Sequence, residues 1–423
     1  MSPPDVLREL EWRGFIQQAT PGIAEHFARG PVTAYCGFDP TVPSLQVGNL
    51  MPLMLLANLQ RHGHRPIVLM GGGTGLIGDP SGKSAERPLL AKEEIRENVR
   101  RMRDQASRFL EFGAGPTAAL LLDNAKWLVE QRLVDFLRDV GKHFTVNVML
   151  QKESVRARLE GGLSFTEFSY MLLQAYDFLH LYRERQCTVQ VAGSDQWGNI
   201  TAGIELIRRV ENVDVHGLVA PLVTRASGQK FGKTESGAVY LDPALTSPYK
   251  FYQFWINVDD RDVERYLRLF TLLSHEEIAD VMARQARHAA ARPAQRALAA
   301  AVTTLAHGAD VLRGVETASA ILFGEGESRS ADAGVFEILA QEIPTATLDD
   351  DGTPSLVDAL IRAGLAKSKN EARRAIEQGG VYLNQERVDD VGRTLGAGDW
   401  VGAGRHALVR KGKKEYALLR RAG

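Results

Sequence analysis

Alternation governs the first half of this chain. Over about the first 220 residues, short strand-like apolar runs take turns with helical patterns, as in a parallel sheet joined by crossover helices. Val32-Thr33-Ala34-Tyr35-Cys36-Gly37-Phe38 is the first clear strand and Ile67-Val68-Leu69-Met70 the second. Leu120-Leu121-Leu122 and Thr188-Val189-Gln190-Val191 supply two more, with helices between them at Leu53 to Arg61 and Glu93 to Phe112. The expected class is α/β, a doubly wound parallel sheet, and such sheets bind ligands at the carboxyl ends of their strands.

A chain of 423 residues exceeds one ordinary core and implies two to four domains. From Pro248 to about Leu322 the pattern turns helical and alanine-rich; from Gly324 to Pro354 it is acidic and broken by Gly and Pro, which reads as a linker with one short helix. After that, Leu356 to Leu365 is amphipathic, a helix opens at Asn370 and runs through Glu377, and Val381-Tyr382-Leu383 follows Gly379-Gly380. The expected division is a catalytic domain over 1–245 with an insertion around 125–165, a helical domain over 246–323, a linker over 324–354 and an α+β domain over 355–423. That last segment holds 14 Lys and Arg against 8 Asp and Glu, so +6, which leaves −7 for the rest of a chain whose total is −1. Clustered basic charge fits a polyanionic partner, or simply a solvated face.

Composition excludes other classes. With 44% apolar and 24% charged residues the chain is neither disordered in bulk nor a membrane protein. Two cysteines, Cys36 and Cys187, are too few for a disulfide scaffold or a four-ligand zinc site, and no signal peptide opens the chain. A cytoplasmic setting is expected.

The unusual residues gather where strands should end. After the first strand comes Gly37-Phe38-Asp39-Pro40-Thr41, then Gln46-Val47-Gly48-Asn49 entering a helix. After the second comes Gly71-Gly72-Gly73-Thr74-Gly75 and then Asp79; Ile77 stands where a P-loop needs its first glycine, so a Walker A site is rejected. So many glycines imply backbone laid close against something, a ligand being favoured over a packing turn. Tyr170, Gln174 and Asp177 recur at helical spacing and form a polar stripe flanked by Leu172, Leu173 and Phe178, suited to a polar pocket. Gly193-Ser194-Asp195-Gln196 follows the fourth strand, where an acidic residue can hold a ribose. Lys230-Phe231-Gly232-Lys233 puts two ammonium groups on one loop, able to follow a departing pyrophosphate or merely to be solvated.

Together these segments closely resemble tyrosyl-tRNA synthetases of the bacterial type, class I enzymes with a Rossmann-like catalytic domain. Gln46 to Asn49 holds the place of the HIGH signature, Lys230 to Thr234 that of KMSKS, and the last 70 residues resemble an S4-type RNA-binding domain. The resemblance implies tyrosine activation by ATP, then transfer of the tyrosyl group to tRNA. It also implies roles: Tyr35 and Asp177 for the substrate phenol; Asp79, Tyr170 and Gln174 for its ammonium; Thr41, Gln46, Lys83, Arg87, Lys230 and Lys233 for the phosphates. Cys36, Gly37, Asp39, Gly48, Asn49, Gly193, Asp195, Gln196, Leu222 and Val223 would line the nucleotide site. Magnesium would arrive with ATP, no protein-held metal or cofactor is expected, and a homodimer would form through the helix around Leu133, Val134, Phe136 and Leu137. Gln46 departs from the family's histidine: its amide donates a hydrogen bond but is never cationic. A tryptophan-specific relative and a regulatory relative without aminoacylation share this fold; Asp177 facing Tyr35 favours a phenol, and the retained lysines favour an enzyme.

Overall fold

A computed structural model describes residues 5–79, 90–156, 162–228, 231–234, 237–348 and 354–422. Lys83, Arg87 and Lys230 lie outside the described residues. The chain divides into two compact units, one of Met1–Thr246 with Phe254–Ala306, the other of Ser247–Gln253 with His307–Gly423.

The first unit is built on six strands: β1 Gln18–Ala19, β2 Thr33–Phe38, β3 Arg65–Met70, β4 Leu120–Asp123, β5 Cys187–Gly193 and β6 His216–Ala220. They lie in the order β1-β6-β5-β2-β3-β4, and all neighbours run parallel except β1 on β6. All four expected strands are present. β2 has β3 on one side and β5 on the other, so the winding reverses there and opens a crevice at the carboxyl ends of β2 and β5. The apolar runs explain the placement: Ile67 to Met70 are each 2% exposed or less, as strands covered on both faces require.

The helices at 246–323 do not form a unit of their own. Those at Asp260–Phe270, His275–Arg287 and Pro293–His307 belong largely with the sheet. Buried Arg13 is one reason, since its guanidinium donates to the carbonyls of Arg268, Thr271 and Leu273. Phe231 is another; it sits in an aromatic cluster with Trp255, Tyr266 and Phe270.

A hairpin of β7 Lys233–Thr234 and β8 Gly237–Ala238 stands apart from the main sheet. The second unit carries β9 Thr345–Leu348, β10 Val381–Leu383, β11 Glu386–Val388, β12 His406–Lys411 and β13 Glu415–Arg421, ordered β11-β10-β12-β13-β9. The expected linker holds the one short helix read from the sequence, Ala333–Glu342, and is corrected over 345–348, where β9 joins the sheet parallel to β13 because Ala346 and Leu348 alternate inward into its core.

Candidate active site

At the crevice, Gly37 is exposed although its β2 neighbours Cys36 and Phe38 are buried. A Cβ added there would meet nothing within 4 Å among the described residues, so the strand surface is open to a ligand. Across the crevice, Gly193 ends β5 beside Asp195, whose charge, after burial, helps raise the Cys36 thiol to a pKa of about 12. Leu222 is exposed just beyond β6, with Val223 half-buried next to it.

Behind Gly37 lies an acidic pocket. Phe165–Arg185 forms one long helix, capped by Ser164, and brings Tyr170, Gln174 and Asp177 to it. The Tyr170 hydroxyl donates to Asp39 at 2.9 Å, and Thr74 donates to the other oxygen of Asp39 at 3.0 Å. Burial, then the charges of Asp39 and Asp79, pushes the Tyr170 pKa well up. With its proton committed to Asp39, Tyr170 offers a ligand lone pairs. Gln196 donates to Asp79 at 2.6 Å, while Asn199 donates to Gln174 at 2.9 Å and to Gln196 at 3.1 Å. Acceptors and negative charge converge, an arrangement suited to a cation.

At the pocket's floor, Asp177 is 2% exposed and accepts from Asn124 at 2.8 Å and from the Trp127 indole at 2.7 Å. Burial raises its pKa to about 7 against those two donors. Tyr35 is 1% exposed, and its hydroxyl has no hydrogen-bond partner among the described residues. Gln190, paired with Tyr35 across β5 and β2, has an equally unpartnered Oε1. Buried polar atoms without partners are costly, and a polar ligand would satisfy them. Sequence reasoning missed Asn124, Trp127 and Gln190. Asn124 was findable, being a polar residue just past a strand's carboxyl end.

The glycine run serves packing more than ligand approach, contrary to expectation. A Cβ on Gly71 would strike the Asp39 carboxylate, one on Gly72 that of Asp123, and one on Gly75 would press Pro40 at 3.1 Å. Only backbone this bare lets Asp39 and Asn124 take their places, and Gly73 N–H in turn donates to Asn124 at 2.7 Å.

The two signature segments touch. Gly232 has φ +81°, and a Cβ there would lie 3.0 Å from Val47. Val239 joins them, donating its N–H to Gly232 at 3.1 Å and accepting from Val47 at 3.0 Å. Lys233 is exposed on this hairpin, and a Cβ on Gly48 would meet nothing within 4 Å among the described residues. Asn49 accepts the Gln46 N–H at 2.9 Å, so it fixes the turn that carries Gln46.

Residues 28–324 match the family of class I tRNA synthetases for tryptophan and tyrosine, and residues 336–419 match the C-terminal domain of tyrosine–tRNA ligases. A tyrosine–tRNA ligase of Anaeromyxobacter dehalogenans is 55% identical over 418 residues, covering 98% of this chain and 99% of that protein. One from Bacillus caldotenax is 50% identical over 422 residues, covering 99% and 100%. The chain belongs to the tyrosine–tRNA ligase family. A solved, C-terminally truncated mitochondrial tyrosyl-tRNA synthetase of Aspergillus nidulans is 31% identical, with a TM-score of 0.68, and covers 74% of this chain and 92% of that one. This ligase chain thus carries a class I synthetase region and the C-terminal domain of tyrosine–tRNA ligases on one polypeptide.

Proposed function

We propose that the acidic pocket binds L-tyrosine and that the crevice beside Gly37 binds ATP, so that the chain joins tyrosine to tRNA(Tyr). The observation that carries this reading is the buried Tyr35 hydroxyl, which lies beside Asp177 and has no hydrogen-bond partner among the described residues. A substrate phenol donates to Asp177 and accepts from Tyr35; phenylalanine would leave the buried Tyr35 hydroxyl unsatisfied and bring Asp177 no donor, an asymmetry for which synthetases specific for tyrosine are themselves the usual example. Asp79, Tyr170 and Gln174 receive the ammonium. The substrate carboxylate is then the nucleophile: its oxygen attacks the α-phosphorus of ATP, and the bond to the pyrophosphate oxygen breaks. In the second step a terminal ribose hydroxyl of tRNA attacks the tyrosyl carbonyl and AMP leaves.

The protein supplies position and charge rather than a covalent intermediate. Thr41, Gln46, Lys83, Arg87, Lys230 and Lys233 surround the phosphates, with magnesium entering as part of the ATP substrate. Cys36, Asn49 and Asp195 face the ribose, and Leu222 and Val223 the adenine. The basic end of the chain holds tRNA through its phosphates. Leu133, Val134 and Leu137, exposed at 72%, 74% and 49%, form an apolar face for a second copy of this chain. The setting is cytoplasmic, and no described helix is long and apolar enough to cross a membrane.

Tyr35→Phe tests the pocket. Losing one neutral hydrogen bond worth about 0.5–1.5 kcal/mol should cut kcat/KM for tyrosine roughly 2- to 10-fold and leave phenylalanine unchanged or improved. Equal effects on both amino acids would remove Tyr35 from phenol recognition.

A further inference from the structure

One helix ties down both ends of the loop that carries Thr41. Between β2 and Gln46 the chain runs Asp39-Pro40-Thr41-Val42-Pro43-Ser44-Leu45, and its two prolines have no N–H with which to anchor it. The Lys92–Ala106 helix buries Ile95, Asn98, Val99, Met102 and Ala106. Asn98 is the polar member of that face, 3% exposed, and its amide donates to the Pro40 carbonyl at 3.0 Å. Gln105 stands two turns further on. Its Oε1 accepts the Leu45 N–H at 2.8 Å, and the Ser44 hydroxyl lies 3.1 Å from the same oxygen. Seven residues of helix span about 10.5 Å, so the two amides bracket the loop. The chain also enters this helix shortly after the segment that contains Lys83 and Arg87.

Both amides are neutral and act on backbone, so neither adds charge to the site. We infer that Asn98 and Gln105 are positioning residues for adenylate formation, holding Thr41 and Gln46 in register with the ATP phosphates through the loop's two ends. The inference rests on the assignment of Thr41 and Gln46 to those phosphates. Leu45 keeps its bond from the Leu241 N–H and Ser44 its bond from the Asp242 N–H, so loss of one amide loosens that end rather than frees it, yet a misplacement of about 1 Å can cost on the order of 100-fold in rate. A purely structural role would lower the amount of folded enzyme and weaken every step together.

The test uses the full chain and pre-steady-state kinetics on wild type, Asn98→Leu and Gln105→Met. Expected is a fall of roughly 5- to 50-fold in the rate constant for adenylate formation at saturating ATP and tyrosine. Tyrosine Kd, the amplitude of the adenylate burst and the rate of tyrosyl transfer from preformed adenylate to tRNA should stay within about two-fold. If Asn98→Leu does not fold, Gln105→Met, at a half-buried position, carries the test alone. Adenylate formation within two-fold of wild type would overturn the inference, as would a parallel loss in tyrosine affinity and tyrosyl transfer. A wild-type chain that forms no adenylate would instead overturn the functional reading, and this inference with it.

Discussion

Burial holds the Asp177 carboxyl at a pKa of about 7, up from 3.8, even though Asn124 and Trp127 both favour its ionised form. The folded protein therefore keeps a proton that the unfolded chain has already lost between about pH 4 and 7, and stability falls as pH rises through that window. The slope from this one group approaches about 1.4 kcal/mol per pH unit. Asp177→Asn removes the slope and adds a constant offset, because its amide must face one of two N–H donors. Denaturant unfolding at pH 5, 6 and 7 should show wild type losing stability relative to the variant as pH rises; parallel trends would contradict the raised pKa. Tyr170, Gln174 and Asp177 were legible in the sequence because helical spacing puts them on one face. Asn124 was legible only as a polar residue past a strand end; that it and Trp127 bond Asp177 was not, since those bonds cross 53 and 50 residues of chain and no local period links them. The glycines were legible as close approach, but what they approach, Asp39 and Asp123, comes from other strands.

At the scale of elements, apolar runs announced β2 to β5, including the edge strand β4, whose residues are only half-buried. β6, His216-Gly217-Leu218-Val219-Ala220, did not stand out, because a histidine and a glycine dilute its opening. β9 escaped for a different reason: four residues, Thr345-Ala346-Thr347-Leu348, give only two inward positions, and acidic sequence follows them. Its role is nonetheless structural. Leu348 is 2% exposed, and Phe336 is fully buried, stacked on His406 at 5.3 Å. Losing two such side chains forfeits about 3–6 kcal/mol, comparable to the whole stability of a small domain. A fragment of residues 333–423 should therefore melt cooperatively, whereas 355–423, with the edge of β13 bared, should be largely unfolded or aggregate. Circular dichroism on the two fragments decides this, and equal melting temperatures would show that 333–354 is an appendage.

For the whole molecule, the proposed function divides the reaction between the two units. On that reading the acidic pocket and crevice of the first unit serve tyrosine, through its ammonium group, and a nucleotide. The basic segment, +6 over 355–423, lies in the second and suits a phosphate backbone. Charge set apart only the segment 355–423, not the unit that contains it, and the boundaries were legible only in part, because helix pattern alone does not say which core a helix joins. What the account claims above all is that the first unit activates tyrosine. Amino-acid-dependent exchange of pyrophosphate into ATP by the full chain tests that directly. The account predicts exchange with tyrosine and at most a trace with phenylalanine or tryptophan, because only a phenol pairs with both Tyr35 and Asp177; exchange driven by tryptophan, or none with tyrosine, would contradict it.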